Sequence, residues 1–124
     1  MDEFNELLSA AAAMSGHNGG MPSRRDSPDM PPRAAAVHQA VSGTSRLITL
    51  RFLLENPGAT RTHLVEETGL TPSTARVTLR ELETLGYIVA DIEGENRNGR
   101  SVRYSARRDV LTDDLTAFVA WMLR

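Results

Sequence analysis

Residues 71–80, with the sequence TPSTARVTLR, gather side chains whose chemistry suits contact with a nucleic acid. Hydroxyl groups such as those of Ser73 and Thr74 bind phosphate oxygens, and so do the unpaired backbone N–H groups at the start of a helix. An arginine can donate two hydrogen bonds to O6 and N7 of guanine, and a valine or a threonine methyl group can contact the thymine methyl group. These residue types fit a DNA major groove, although a solvated polar face on a core helix explains them equally well.

A second set of candidate contacts lies in the segment GENRNGR, residues 94–100. Here Arg97 and Arg100 flank the dipeptide Asn98-Gly99, which is typical of a two-residue hairpin turn. An arginine at a loop tip can enter a narrow minor groove, where the electrostatic potential is most negative. The alternative is a hairpin with ordinary surface charges, and two nearby glutamates favour that interpretation.

The charge of the chain is unevenly distributed. Its net formal charge of −2 argues against binding a nucleic acid through total charge. Residues 34–108, however, carry ten arginines and eight acidic residues, a net charge of +2, and residues 96–108 contain five arginines and no acidic residue. Because a polyanion responds to local charge, this basic segment is what would meet it.

The residues around the first candidate set carry the start and stop signals of two short helices. The segment TRTHLVEETG, residues 60–69, begins with a threonine that can cap a helix and ends with a glycine suited to positive φ. The next helix is predicted to have Thr71 as its cap, Pro72 at its first position and Gly86 at its end. One inward stripe is predicted at Ala75, Leu79, Leu82 and Leu85. Two helices joined by so tight a turn predict a helix-turn-helix.

The rest of the chain predicts a hairpin, further helices and a linker. Apolar residues alternate over residues 88–92 and again over 102–106, which indicates two strands joined by the turn described above. Residues 34–42 and 44–56 are helix candidates, the first with Ala34, Val37, His38 and Val41 on one face and the second dense enough in apolar residues to be buried. Residues 1–14 predict a short helix, and the Gly-, Pro- and Ser-rich residues 15–33 predict a disordered linker.

The last segment, residues 109–124, predicts a helix with an apolar side available for self-association. Thr112 is its expected N-cap, and Asp113 and Asp114 are expected in its first turn, as solubilising charges that the helix dipole favours. A domain of about 65 residues has few other elements to cover the apolar side, which therefore either forms a dimer or packs on its own chain. The predicted dimer residues are Leu115, Phe118, Val119 and Met122.

The order of these motifs over residues 44–108 resembles the winged-helix transcriptional regulators of the ArsR and MarR types. The resemblance rests on TSRLITLRFLLENPGATRTHLVEETGLTPSTARVTLRELETLGYI and on NRNGRSVRYSA, and the second stretch leans towards the ArsR type. It implies a mainly α fold with a small β-hairpin wing, and a homodimer whose recognition helices enter successive major grooves of double-stranded DNA. Carried over by position, the DNA-contacting residues are Thr71, Ser73, Thr74, Arg76, Val77, Thr78, Arg80, Arg97, Asn98 and Arg100.

The predicted organisation has three parts: an N-terminal extension of residues 1–33, a winged-helix DNA-binding domain of residues 34–108 and a C-terminal dimerisation helix of residues 109–124. The leading hypothesis is a dimeric transcriptional repressor. Two alternatives stay open: an architectural, recombination or replication factor built on the same fold, and a winged-helix protein-interaction module. Residues 1–14 could contact a protein partner.

No enzyme, cofactor or metal site is predicted. The absence of cysteine excludes disulfides, thiolate metal sites and a cysteine nucleophile. Nothing in the sequence places two of the three histidines, His17, His38 and His63, beside a carboxylate, and the cysteine and histidine sets of ArsR-type metal sensors are missing. An acidic N-terminus and the lack of a long apolar run predict a cytoplasmic protein with no membrane span.

Overall fold

The computed structural model describes residues 29–92 and 101–124. Within these two ranges the chain forms five α-helices and three short β-strands, which confirms the predicted mainly α fold class. In chain order they are α1 (Pro32–Ser42), α2 (Thr44–Glu55), β1 (Ala59–Thr60), α3 (Arg61–Thr68), α4 (Pro72–Leu85), β2 (Ile88–Ala90), β3 (Arg103–Ala106) and α5 (Arg108–Leu123). None of these helices combines the length and the apolar character that a membrane span requires. The predicted helix of residues 1–14 lies outside the described residues, as does most of the predicted linker.

Local signals explain where α3 and α4 begin and end. Thr60 and Thr71 cap the two helices, since each side-chain oxygen accepts a hydrogen bond from the backbone N–H three residues later, at 3.2 and 3.1 Å. Gly69 and Gly86 follow the helices with φ of 78° and 89°, in the left-handed region that side chains with a Cβ rarely adopt. The predicted caps and ends of the helix-turn-helix are confirmed.

The strands form an antiparallel sheet in the order β1–β3–β2. Ile88 pairs with Ala106 and Ala90 with Tyr104, which confirms the predicted hairpin at its base. The sequence did not predict β1, where Ala59 pairs with Tyr104 at the other edge of β3. A strand of two residues is too short to show an alternating pattern of apolar residues, and it is defined only by its backbone pairing with β3.

The core lies between α4 and the helices that pack around it. Tyr87 and Ile88, which follow α4 directly, are buried, and so is Leu64 on α3. α2 is largely buried, as the high density of apolar residues in its sequence predicts, although Ile48 is 37% exposed. α1 begins two residues before the predicted position, at Pro32, and its fully buried residues are Ala34, Val37 and Ala40, whereas His38 and Val41 are only half-buried.

The start of α5 differs from the prediction. The helix begins at Arg108, so Thr112 is not its N-cap but lies in its second turn, where its hydroxyl donates to the Arg108 carbonyl at 2.8 Å. The apparent capping signal of Thr112 misleads because threonine also bonds to the preceding turn inside a helix. Asp114 therefore lies one turn further into the helix than the sequence suggests.

Asp114 is not a solubilising charge, because it is 5% exposed and joins three segments of the chain. The Tyr87 hydroxyl donates to its Oδ2 at 2.7 Å, and Arg33 Nε on α1 donates to its Oδ1 at 2.6 Å. Burial and the hydrogen bond to Asp114 raise the pKa of Tyr87 well above its ordinary value. This network, Arg33–Asp114–Tyr87, fastens α1 and α5 to the residue that follows the helix-turn-helix.

Candidate nucleic-acid interface

The outer face of α4 carries most of the side chains predicted to contact DNA. Ser73, Arg76 and Arg80 are exposed, and Val77 shows 52% of its surface to solvent. The opposite side of the helix supplies the core, with Ala75 and Leu82 fully buried. α4 is therefore a helix with two faces, one that packs into the core and one that is exposed among the described residues, where a valine lies among arginine and serine side chains.

The hydroxyl groups at the start of α4 are hydrogen-bonded to one another. Thr71 Oγ1 accepts from the Thr74 backbone N–H and donates to Thr74 Oγ1 at 2.9 Å, and Ser73 Oγ lies 3.4 Å from Thr71 Oγ1. Thr71 and Thr74 are thus engaged in capping the helix. Ser73 is exposed and adjoins the positive end of the helix dipole, which attracts phosphate.

Thr78 departs from the prediction. The sequence placed it among the DNA-contacting residues, but its side chain is 3% exposed and lies with the core-facing residues of α4. Threonine is compatible with either face of a helix, so the residue type alone could not assign it. Its burial removes Thr78 from the exposed face of α4.

Two exposed residues of α4, Glu81 and Thr84, were missed by the sequence reasoning. Glu81 follows Val77 by one helical turn and Thr84 follows Arg80 by one turn, so both continue the outer face towards the C-terminus of the helix. The signal was present in this spacing. The residue type of Glu81 points the other way, because a glutamate is not expected on a surface that binds a polyanion.

Glu81 has a partner on α2. Arg46 Nη1 lies 3.3 Å from Glu81 Oε1, and Arg46 Nε donates to the Gln39 carbonyl at 3.0 Å. A shallow depression of about 350 Å³ separates α2 from α4 beside this pair. Its lining residues are Ser45, Arg46, Ser73, Thr74, Val77, Thr78 and Glu81.

The base of the wing is fixed by bonds to Arg103. Its backbone N–H donates to Asp91 Oδ1 at 2.9 Å, and its Nη1 donates to the Gly58 carbonyl at 3.2 Å. The predicted wing-tip residues Arg97, Asn98 and Arg100 lie outside the described residues. Their contact with DNA stays a prediction.

The histidines in the described residues pack against aromatic rings. The His63 ring meets Phe52 edge-on at 5.1 Å, and its Nε2 lies 3.8 Å from Glu67 Oε1. The His38 ring stacks on Phe118 at 5.8 Å. In the part of the chain that the structure describes, no three side chains of the metal-binding types converge on one point.

An apolar surface lies along α5, on the side that the sequence assigned to dimerisation. Leu115, Val119 and Met122 are 39%, 49% and 57% exposed. Phe118 differs from them, since it is half-buried and packs on the core and on His38 of its own chain. A groove of about 660 Å³ continues this surface between α5 and α2, with Leu47, Ile48, Leu54, Leu111 and Leu115 among its apolar lining residues.

Solved structures share this fold. The cadmium metal sensor CMTR from Mycobacterium tuberculosis is 28% identical over 63% of this chain and 75% of its own, with a TM-score of 0.50. A homodimeric winged helix-turn-helix DNA-binding domain from Mycobacterium bovis is 22% identical over 82% of this chain and 87% of its own, with a TM-score of 0.55. The transcriptional repressor BigR from Xylella fastidiosa is 17% identical over 80% of this chain and 96% of its own, with a TM-score of 0.56.

A search of curated protein sequences finds no relative of this chain. The profile of the MarR family matches residues 38–101, slightly more than half of the chain. The match begins on α1 and includes the helix-turn-helix and the strand β2, which are the elements described above. The chain therefore belongs to the MarR family of winged-helix transcriptional regulators.

Proposed function

We propose that this protein is a sequence-specific repressor that binds double-stranded DNA as a homodimer. α4 would lie in the major groove, and the wing of residues 94–100 would contact the backbone or the minor groove beside it. The observation that carries the proposal is the exposed outer face of α4, where Val77 and Arg80 reach solvent while the opposite face of the helix packs into the core.

The chemistry of this face supports base contacts. Arg76 and Arg80 supply hydrogen-bond donors for guanine, and the half-exposed Val77 supplies an apolar contact for a thymine methyl group. Ser73, at the positive end of the helix dipole, supplies a phosphate contact that sets the position of the helix without reading sequence.

The apolar side of α5 supports the dimer. Leu115 and Val119 leave a substantial apolar area open, and the adjoining groove would be covered by a second copy of the chain. Two copies related by a twofold axis would present two α4 helices to half-sites about one helical turn apart. Of the predicted dimer residues, Phe118 would contribute least because its ring already packs within its own chain.

The test of DNA recognition is an anisotropy titration with duplexes from the region upstream of the gene and with scrambled duplexes. At about 0.15 M salt we expect tighter binding to one partly palindromic site than to scrambled DNA. Arg76→Ala should relax the base preference and cost roughly 1–3 kcal/mol at that site, whereas Arg100→Ala should weaken all sequences alike and lower the salt slope. Arg124→Ala, at the end of α5, is the control for loss of one positive charge. Equal affinity for all duplexes would refute the proposal that the protein is a sequence-specific repressor.

The test of the dimer is the oligomeric state of Val119→Glu in sedimentation. A carboxylate in a buried apolar interface is costly, so this variant should be monomeric where the unchanged protein is dimeric. Val89→Glu is the matched control, since Val89 on β2 is 47% exposed and Val119 is 49% exposed. Dissociation of both variants, or of neither, would contradict a dimer formed through α5.

A further inference from the structure

Glu81 occupies an unexpected place for a surface that binds a polyanion. Its side chain is 46% exposed on the outer face of α4, one helical turn beyond Val77. A carboxylate close to DNA phosphates lowers the affinity for every DNA sequence. A hydrogen bond to a particular base can offset this cost, but only at sites that contain that base. A residue whose type opposes general DNA binding therefore invites a sequence-specific explanation.

The position of the Glu81 carboxylate is set by Arg46. The Arg46 side chain is only 22% exposed, and its guanidinium is held from two sides, by the Gln39 carbonyl at 3.0 Å and by Glu81 Oε1 at 3.3 Å. Gly43 leaves room for it, because a Cβ at that position would collide with the guanidinium. Glu81 is consequently held in one region of the face by a partner that belongs to another helix.

The chemistry of a carboxylate decides which base it can meet. It only accepts hydrogen bonds, so it is repelled by the acceptor edges that guanine and thymine show in the major groove. Cytosine shows a donor, the N4 amino group, whereas adenine shows its N6 donor beside the N7 acceptor. Cytosine is thus the base that a fixed carboxylate favours.

We propose that Glu81 is a specificity-determining residue that accepts a hydrogen bond from N4 of cytosine, with Arg46 as its positioning residue. This rests on the proposed placement of α4 in the major groove. Glu81 follows Val77 by four positions, an advance of about 6 Å along the helix axis. At about 3.4 Å per base pair, the cytosine lies roughly two base pairs from the one that Val77 contacts.

The test uses the full-length protein and a duplex panel in which each position of the bound site carries each of the four base pairs. The unchanged protein should prefer cytosine at one position in each half-site. Glu81→Ala should reduce this preference about fivefold to tenfold at that position alone, which is the lower end of what a base contact contributes. Glu81→Gln should move the preference to adenine, since an amide both donates and accepts. Arg46→Met should weaken the cytosine preference while Glu81 remains.

Glu66→Gln is the matched control, because it removes the same charge from an exposed position on α3. It should change affinity for all duplexes equally and leave every base preference intact. Thermal unfolding of each variant checks that the fold is retained.

If Glu81→Ala and Glu81→Gln instead tighten binding to all duplexes by the same factor, the carboxylate only repels the backbone and the inference is overturned. A normal base preference elsewhere in the site, with no change on removing Glu81, would also overturn it and leave the proposed function standing. A lack of preference at every position would refute the proposed function itself.

Discussion

Replacing Asp114 by alanine tests the buried network that joins α5 to the end of the helix-turn-helix. Asp114 is 5% exposed and holds the Tyr87 hydroxyl at 2.7 Å and Arg33 Nε at 2.6 Å. In Asp114→Ala the hydroxyl of Tyr87, a residue with no exposed surface, loses its acceptor, at a cost of about 1–3 kcal/mol. Arg33 adds little to this cost because its side chain is 60% exposed and can turn to water.

The expected net loss in the free energy of unfolding is about 1.5 kcal/mol, because the higher helix propensity of alanine offsets roughly half a kcal/mol of the cost of the orphaned hydroxyl. Asp113→Ala is the matched control: it gains the same propensity, but its side chain is 69% exposed and lies 3.6 Å from Arg33 Nη2. A salt bridge of that kind contributes at most about 0.5–1 kcal/mol. Urea unfolding at one fixed protein concentration gives both values, because the stability of a dimer depends on concentration.

The double variant shows whether the orphaned hydroxyl is the cause. When Tyr87→Phe has already removed the hydroxyl, Asp114→Ala should cost about 1 kcal/mol less than it does in the unchanged protein. Equal losses for Asp114→Ala and Asp113→Ala, or an identical cost in the presence and absence of the hydroxyl, would refute this account of the network.

Three further changes have expected outcomes. Thr49→Val should stabilise the protein by about 1 kcal/mol in urea unfolding, because the buried Thr49 hydroxyl has no hydrogen-bond partner among the described residues; a loss of stability would contradict this. Gly86→Ala should lower the free energy of unfolding by about 1–2 kcal/mol, because φ at this position is 89°, which is unfavourable for a residue with a Cβ. An unchanged midpoint of urea unfolding would contradict this. The raised pKa of Tyr87 means that the folded state keeps a proton that the unfolded chain releases above pH about 10. Stability should therefore fall as the pH rises beyond 10, and less steeply in Tyr87→Phe.

The parts of the site that the sequence predicted are those set by local chemistry. The cap at Thr71, the helix end at Gly86 and the exposure of Arg76 follow from side chains and backbone angles within one or two turns. Thr78 and Glu81 were misjudged or missed for different reasons. Thr78 was misjudged because threonine is compatible with both faces of a helix. Glu81 was missed because an isolated glutamate in a sequence indicates only a solvated charge, and its partner Arg46 lies on another helix.

By itself, the sequence determined the helix-turn-helix, the hairpin that follows it and the free face of α4, because hydrophobic period, capping residues and turn glycines act over short distances. Only the tertiary structure decided what α1, α2 and α5 bring to that motif. Asp114 became a buried bridge and β1 became a strand through partners 27 or more residues away, and such pairings leave no periodic trace in a single chain. The physical reason is that burial and ion pairing depend on which surfaces meet after folding.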